Sequence, residues 1–261
     1  MRPVKAENTR YDEYEELLLM RDQVRKEAGQ ARTLYIRIFG LLITEIFEEK
    51  VACIRLKKRI AYYQAAVNRG ETIDAAALEK KLEEEMASHQ VELRRMLEEH
   101  RQCAEAGTST YYEVERSKTL YRRLAKLLHP DIRPETDRES VLMDLWIRIT
   151  EAYGHNDVKA LAELEVLARK ALKDLEIDGV TNAEIPDLEE RIGKVREEIE
   201  DIQSREPYTY RVLLEDEEAV EKKKQELQKE LEEYRNYHEE LTEMAEKILR
   251  EGGVEIVWRM N

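Results

Sequence analysis

The chain has 261 residues, of which 39% are charged and 42% are hydrophobic, and it contains only 9 glycines and 5 prolines. So few helix breakers among so many charged and aliphatic residues favour an all-α protein with long helices, and the apolar content is too high for global disorder. The net charge of -14 argues against nucleic acids and anionic membranes as partners, because both repel an acidic protein.

The N-terminus and the cysteines predict a soluble, cytoplasmic protein. No apolar core of a signal peptide follows the first five residues. The most apolar stretch, 35–47, is too short to cross a bilayer and contains Arg37 and Glu45. The two cysteines, Cys53 and Cys103, lie far apart in sequence, and each is expected to be a small buried hydrophobe in a reducing compartment.

Apolar residues recur at helical spacing along the chain and divide it into three predicted domains. Residues 1–73 form an N-terminal long helical region, residues 74–177 form a middle module with flanking helices, and residues 178–261 form a C-terminal coiled-coil hairpin with a tail. In chain order, the spacing predicts helices over about 10–68, 74–103, 111–128, 137–153 and 158–176, before the two arms of the hairpin.

The first helix is apolar on nearly all sides in its middle part, which is typical of a helix buried among other helices. Gly70 is expected to end it, because glycine is favoured just after a helix. Further along, Asn156 or Asp157 would cap the helix 158–176, and residues 178–182 would break the chain after it.

The last segment shows the 3.5-residue period of a coiled coil twice. The first arm carries Leu188, Ile192, Val195, Ile199 and Ile202, and the second carries Leu227, Leu231, Tyr234, His238, Leu241, Ala245 and Ile248. Such apolar seams predict an antiparallel hairpin, although they would also suit a dimer. The apolar connection 204–215 either packs on the hairpin end, which we favour, or contacts a partner. Gly252 and Gly253 would end the last helix, and residues 254–258 would add a short strand or an anchored tail.

The helix 116–128 stands out by its charge. It has five basic residues and no acidic one, although the whole chain is acidic. Its leucines lie on one face, and three cations spaced by four lie on the opposite face: Lys118, Arg122 and Lys126. Arg123 flanks the apolar stripe. The helix is therefore expected to bury one side and to present a positive ridge that attracts an acidic partner.

The tripeptide His129-Pro130-Asp131 follows this helix directly. Pro130 disfavours helical geometry for His129, so the helix is expected to end here and to leave Asp131 as an exposed carboxylate. The next helix has apolar residues at helical spacing, including Trp146 and Tyr153. Two amphipathic helices joined by a short loop favour an antiparallel pair.

These residues resemble a J domain of the DnaJ family. The stretch Tyr121–Asp131 is similar to helix II and the signature loop of that family, and Trp146–Tyr153 is similar to its helix III, with the same Glu-Ala-Tyr ending. The tripeptide alone is a weak signal, but its place between a basic helix and Glu-Ala-Tyr makes the resemblance specific. It covers less than a quarter of the chain.

The resemblance implies a co-chaperone that binds a DnaK-type (heat shock 70) chaperone and stimulates its ATPase. By this resemblance, His129, Pro130 and Asp131 would make the stimulating contact. Four cations would dock on the acidic surface of the partner's ATPase domain: Lys118, Arg122, Arg123 and Lys126. The coiled-coil arms would bind a client or another copy of the chain. The catalytic machinery would belong to the partner, so the chain itself is not expected to be an enzyme.

The sequence also departs from the family's pattern, which keeps a second interpretation open. J domains begin with a short helix I, and we expect the helix 74–103 to replace it by packing antiparallel on helix II. The missing helix I motif and the long arms would also fit a non-catalytic coiled-coil scaffold with a degenerate J-like domain. Neither interpretation needs a cofactor, since the histidines show no metal-ligand spacing and the glycines form no phosphate loop.

A third interpretation, a hydrolase that uses His129, is disfavoured. No candidate nucleophile lies beside His129 in sequence, and a proline between a catalytic base and its orienting carboxylate would be unusual.

Overall fold

The computed structural model describes residues 3–105, 107, 109–177, 187–252 and 256–257. Of these residues, 88% are helical, which confirms the predicted all-α fold. None of the helices in the described part of the chain combines the length and the apolar character needed to cross a membrane.

Nine helices and two very short strands make up the described residues. The helices are α1 Pro3–Arg69, α2 Ala75–Glu105, α3 Tyr111–Leu128, α4 Pro134–Arg138, α5 Ser140–Gly154, α6 Val158–Asp174, α7 Leu188–Ser204, α8 Tyr210–Leu214 and α9 Glu217–Gly252. The strands β1 Ile73–Asp74 and β2 Ile256–Val257 pair in parallel.

Most helix bounds follow the sequence prediction closely, with one difference at the functional loop. The segment 129–136 was expected to be a loop throughout, but α4 begins at Pro134. A proline at the first helical position costs no hydrogen bond and already has a helical φ angle, so it starts this short helix instead of preventing it. The predicted break at 178–182 and most of the tail at 254–258 lie outside the described residues.

The chain folds into two compact units that are not consecutive in sequence. Unit 1 contains Met1–Arg32 and Gly107–Arg211, and unit 2 contains Thr33–Ala106 and Val212–Asn261. The helix α1 contributes its first part to unit 1 and its remainder to unit 2. The division into three consecutive domains stays a prediction.

Unit 1 has two apolar clusters. The larger one joins α3, α5 and α6 through fully buried residues such as Leu124, Ile149 and Leu161, and Leu19 of α1 belongs to it as well. The second joins the first part of α1, the loop residue Ile132 and the apolar stripe of α7. The first part of α1 therefore belongs to the same core as the candidate functional loop.

Unit 2 is built on the later part of α1. One cluster packs Phe39 and Ile46 of α1 against Leu227 and Leu231 of α9, with Leu213 and Leu214 of α8 at its edge. Another cluster packs Cys53, Ile60 and Tyr63 of α1 against the other end of α9, together with Ile73 of β1. Phe39 and Ile46 are buried as expected for the middle of α1, but Leu34 and Leu41 are 40% and 54% exposed, so this part of the helix is not covered on all sides.

The C-terminal hairpin was predicted wrongly. Both seams exist, but the α7 seam packs on the first part of α1, next to Tyr14 and Leu18, and the α9 seam packs on its later part. A heptad pattern specifies that a helix needs an apolar partner without naming the partner. The long helix α1 supplies both partners. The apolar connection packs, but on these clusters and not on a hairpin end: Tyr208 lies against the α1–α7 cluster and Leu213 against the α1–α9 cluster, while Val212 is 76% exposed.

The helix that takes the place expected for helix I also differs from the prediction. Residues 75–103 lie in α2, which belongs to unit 2. In unit 1 the first part of α1 packs on the module, in addition to the packing of α5 and α6 on α3. The apolar residues Tyr14, Leu18 and Leu19 recur at helical spacing and are all buried there. These three residues lie more than ninety positions before α3 in the chain, and no local sequence pattern indicates that they pack on the module.

Candidate functional site

The basic helix α3 begins at a capping box. The Thr110 side chain accepts a hydrogen bond from the Glu113 amide (3.3 Å), and the Glu113 carboxylate accepts one from the Thr110 amide (2.7 Å). Such reciprocal bonds satisfy two donors that a helix start otherwise leaves unpaired. The helix ends at His129, whose extended conformation (φ −61°, ψ 123°) is the one that a following proline favours.

The faces of α3 are those expected from the sequence. Leu120, Leu124 and Leu128 are buried, while Arg122, Arg123 and Lys126 keep 50%, 48% and 58% of their side chains exposed. Lys118 is half-buried. The four cations predicted from the sequence therefore lie on one helix, with three of them accessible to a partner.

Three of these cations also have acidic neighbours within unit 1. Lys126 Nζ lies 2.5 Å from Glu15 Oε1, Arg122 Nη2 lies 3.9 Å from Glu16 Oε2, and Arg123 Nη2 lies 3.0 Å from Glu165 Oε2. Glu15 raises the pKa of Lys126. The Arg122–Glu16 pair is exposed on both sides, so it contributes little to stability and can exchange partners at low cost. The carboxylates of Glu15 and Glu165 are only 13% and 14% exposed, so these two pairs are not surface pairs of this kind.

The loop after α3 has one buried and two partly exposed members. The His129 side chain is only 3% exposed and packs edge-on against Trp146, with ring centroids 4.9 Å apart. Pro130 is half-buried, and the Asp131 side chain is 40% exposed. The Asp131 carboxylate is thus partly exposed, and the His129 ring turns inward and packs against Trp146 instead of projecting from the end of the helix.

Hydrogen bonding fixes the orientation of the His129 ring. The Asp131 amide donates to Nδ1 at 3.1 Å, so the proton of the neutral ring belongs on Nε2. Nε2 faces the Asp22 carboxylate at 3.5 Å. The ring is therefore held from both sides, by its own loop and by α1.

Arg21 and Asp22 of α1 are the residues that the sequence analysis missed. Arg21 Nη2 donates to Asp131 Oδ2 at 3.2 Å and lies 3.4 Å from His129 Nε2. Asp22 accepts a hydrogen bond from the Tyr121 hydroxyl at 2.7 Å. Both residues lie more than a hundred positions away in sequence, and no motif connects them to the tripeptide.

Burial and charge act against each other on these two side chains. Burial raises the pKa of Asp22, but His129, Tyr121 and Arg21 outweigh it and hold the pKa below its usual value. Burial lowers the pKa of Arg21, whereas the carboxylates of Asp22, Asp131 and Glu198 raise it more, so the net pKa is raised. Both groups are therefore charged at neutral pH.

A second polar contact connects α1 to the module at the far end of α3. Lys26 Nζ donates to Asn156 Oδ1 (2.5 Å), approaches Ser117 Oγ (3.3 Å) and lies 3.6 Å from the centre of the Tyr153 ring. Burial, with a contribution from the charge of Lys118, lowers the pKa of Lys26 to about 8. Asn156 adopts a left-handed conformation here, and the neighbouring Asp157 caps α6.

A cavity of about 430 Å³ lies beside the loop. Its lining includes His129, Asp131 and Thr150. A hydrolase that used His129 as a base would need a nucleophilic side chain hydrogen-bonded to it, and Thr150 is a candidate in this cavity. The Thr150 hydroxyl donates to the backbone carbonyl of Ile147, and both ring nitrogens of His129 are already engaged. These contacts leave the Thr150 hydroxyl without a hydrogen bond to His129 that would activate it as a nucleophile.

In the part of the chain that the structure describes, no cluster of histidine, cysteine or acidic side chains is arranged to hold a metal ion. No family model, curated protein or solved structure matches this chain.

Proposed function

We propose that the chain is a J-domain-like co-chaperone that binds a DnaK-type chaperone and stimulates its ATPase. One observation carries the proposal: a helix with exposed Arg122, Arg123 and Lys126 runs directly into a proline loop that leaves the Asp131 carboxylate accessible. A positive ridge of this kind attracts an acidic surface and orients the encounter. The packing of α3, α5 and α6 into one apolar cluster supports it, because it holds the loop on a rigid base.

In this proposal the chain supplies binding energy and performs no chemistry. The cations of α3 dock on the partner, and the loop favours the hydrolysis-competent state of the partner's ATPase. The protein would act in the cytoplasm. The long helices outside the module would contact a client protein or another copy of the chain.

Single-turnover ATP hydrolysis tests this function. The DnaK-type chaperone encoded in the same genome is loaded with ATP, and its hydrolysis is followed with saturating wild-type protein or with the His129→Gln variant. We expect the wild-type protein to accelerate hydrolysis by about tenfold or more, which corresponds to ~1.4 kcal/mol, and the variant to lose the effect.

His155→Gln is the matched control, because it makes the same change at an exposed histidine that follows α5. It should behave like the wild-type protein, and circular dichroism should show that all three proteins are folded. If the saturating wild-type protein neither binds the chaperone nor accelerates hydrolysis, the proposed function is wrong.

The second candidate is a structural scaffold whose J-like module no longer binds a chaperone. The buried His129 ring favours this scaffold, because a side chain that is 3% exposed and contacts α1 is typical of a residue of the core. Capture of the chaperone by the wild-type protein and loss of capture by Asp131→Asn would exclude this candidate.

A further inference from the structure

The first part of α1 covers the same side of the module that the proposed function requires. Four residues in two places along this helix make the contacts. Glu15 pairs with Lys126, Glu16 approaches Arg122, and further along α1 the residues Arg21 and Asp22 contact the loop. Two acidic residues of α1 thus engage two of the ridge cations, which keep about half of their side chains exposed, in the way that an acidic partner surface would.

The contacts at the loop concern the two polar side chains of the tripeptide. The Asp131 carboxylate accepts a hydrogen bond from Arg21, and His129 Nε2 faces Asp22. The side chain of Arg21 is itself only 11% exposed. A partner that contacts the His129 ring or the Oδ2 atom of Asp131 must therefore first displace these groups of α1.

Apolar contacts hold this stretch of α1 in place, so the ion pairs are not its sole attachment. Tyr14 and Leu18 are buried together with Ile132 of the loop, and Leu19 is buried in the cluster of α3 and α5. Lys26 adds its hydrogen bond to Asn156. Residues 14–26 of α1, which we name the α1 clamp, therefore contact the module at α3, at the loop and at Asn156.

We propose that the α1 clamp is an autoinhibitory element that competes with the chaperone for the basic ridge and for the His129–Asp131 loop. Docking then requires the clamp to leave these residues, so the observed affinity is the intrinsic affinity reduced by the fraction of molecules in which the clamp is open. The inference rests on the proposed function and names the regulation of the same site.

Charge reversal on the clamp tests the inference. The double variant Glu15→Lys/Glu16→Lys places cations opposite Lys126 and Arg122 and leaves every residue of α3 and of the loop unchanged. The variant replaces one exposed attraction, at Glu16, and one attraction at the largely buried Glu15 by repulsion. We expect the Kd for the chaperone to fall by about threefold to tenfold. The milder variant Glu15→Gln/Glu16→Gln should move in the same direction if the lysine variant folds poorly.

The matched control is Glu239→Lys/Glu240→Lys on α9. It changes the net charge by the same amount at two adjacent, exposed glutamates in unit 2. A general weakening of repulsion by the acidic chain would lower the Kd equally for both lysine variants. A decrease confined to the clamp variant supports autoinhibition, whereas equal affinities of the clamp and control variants contradict it.

Amide hydrogen exchange distinguishes autoinhibition from a purely structural role of α1, because a structural role predicts no change in the exchange rates of α1 when the chaperone binds. Addition of the ATP-bound chaperone should accelerate exchange in residues 10–32 and slow it in α3. If residues 10–32 exchange at an unchanged or slower rate while the wild-type protein still binds through His129, the clamp does not open and the inference is wrong. If neither the wild-type protein nor the clamp variant binds the chaperone, the proposed function itself fails.

Discussion

At the scale of single residues, the candidate site is defined by what surrounds His129. The Asp131 amide and the Asp22 carboxylate engage the two ring nitrogens, and Trp146 packs against the ring. These contacts favour one tautomer and one rotamer of the His129 side chain. In that rotamer the ring is buried and is not exposed to a partner. The residue most expected to make contact is thus the one most firmly held, and Arg21 holds its neighbour Asp131 in the same way.

The lowered pKa of Lys26 leads to a prediction at the same scale. In the folded protein its pKa is about 8, below the usual value of 10.5. Between these values the unfolded chain binds a proton that the folded protein does not, so the contribution of Lys26 to stability rises as the pH increases from about 8 towards 10. The penalty for charging the buried ammonium is fully present below pH 8.

Urea unfolding of wild-type protein and Lys26→Met at pH 7 and at pH 9.5 measures this effect. We expect the free energy of unfolding of the wild-type protein to increase relative to that of the variant at the higher pH. A difference between the two proteins that is the same at both pH values would mean that Lys26 titrates as it does in the unfolded chain.

At the scale of elements, α3 shows how local sequence sets a boundary. The pattern Thr110-Tyr111-Tyr112-Glu113 forms a capping box at one end, and Pro130 stops the helix at the other. Between these ends, the spacing of leucines and cations decides which face is buried. The capping box, the spacing and the proline all lie within or next to the helix. The bounds Tyr111–Leu128 could therefore be predicted without knowledge of distant contacts.

The capping box predicts a loss of stability when its threonine is removed. Thr110→Ala should lower the free energy of unfolding of the protein by about 1 kcal/mol, because the Glu113 amide loses its acceptor. Thr119→Ala, on the exposed face of the same helix, removes only a hydroxyl that bonds back to the carbonyl of Glu115 and should have little effect. Equal losses in the two variants, measured by urea unfolding, would show that the box does not stabilise α3.

At the scale of the whole molecule, four apolar clusters of the described residues are divided between two compact units, two in each. Leu124 is fully buried between helices of unit 1, and Leu231 is buried between α1 and α9 in unit 2. The helix α1 contributes buried residues to the clusters of both units. Local unfolding free energies in proteins follow cooperative units of this kind.

Alanine substitutions in one cluster of each unit test this organisation by native-state hydrogen exchange. Leu124→Ala should destabilise unit 1 by about 2–5 kcal/mol and accelerate exchange mainly in α3, α5 and α6. Leu231→Ala should act mainly on α9 and on the later part of α1. Acceleration spread evenly over both units by either substitution would show that the chain unfolds as one unit.

The sequence by itself determined the all-α class, the bounds of α3, the basic ridge and the loop at Pro130, because helix periodicity, capping and proline geometry act within a few residues. It also determined that α7 and α9 carry apolar seams. Only the tertiary structure decided that α1 covers both seams, and that Arg21 and Asp22 meet Asp131 and His129. Contacts across a hundred residues depend on which apolar faces fit together, and a heptad or a charge pattern matches many partners equally well.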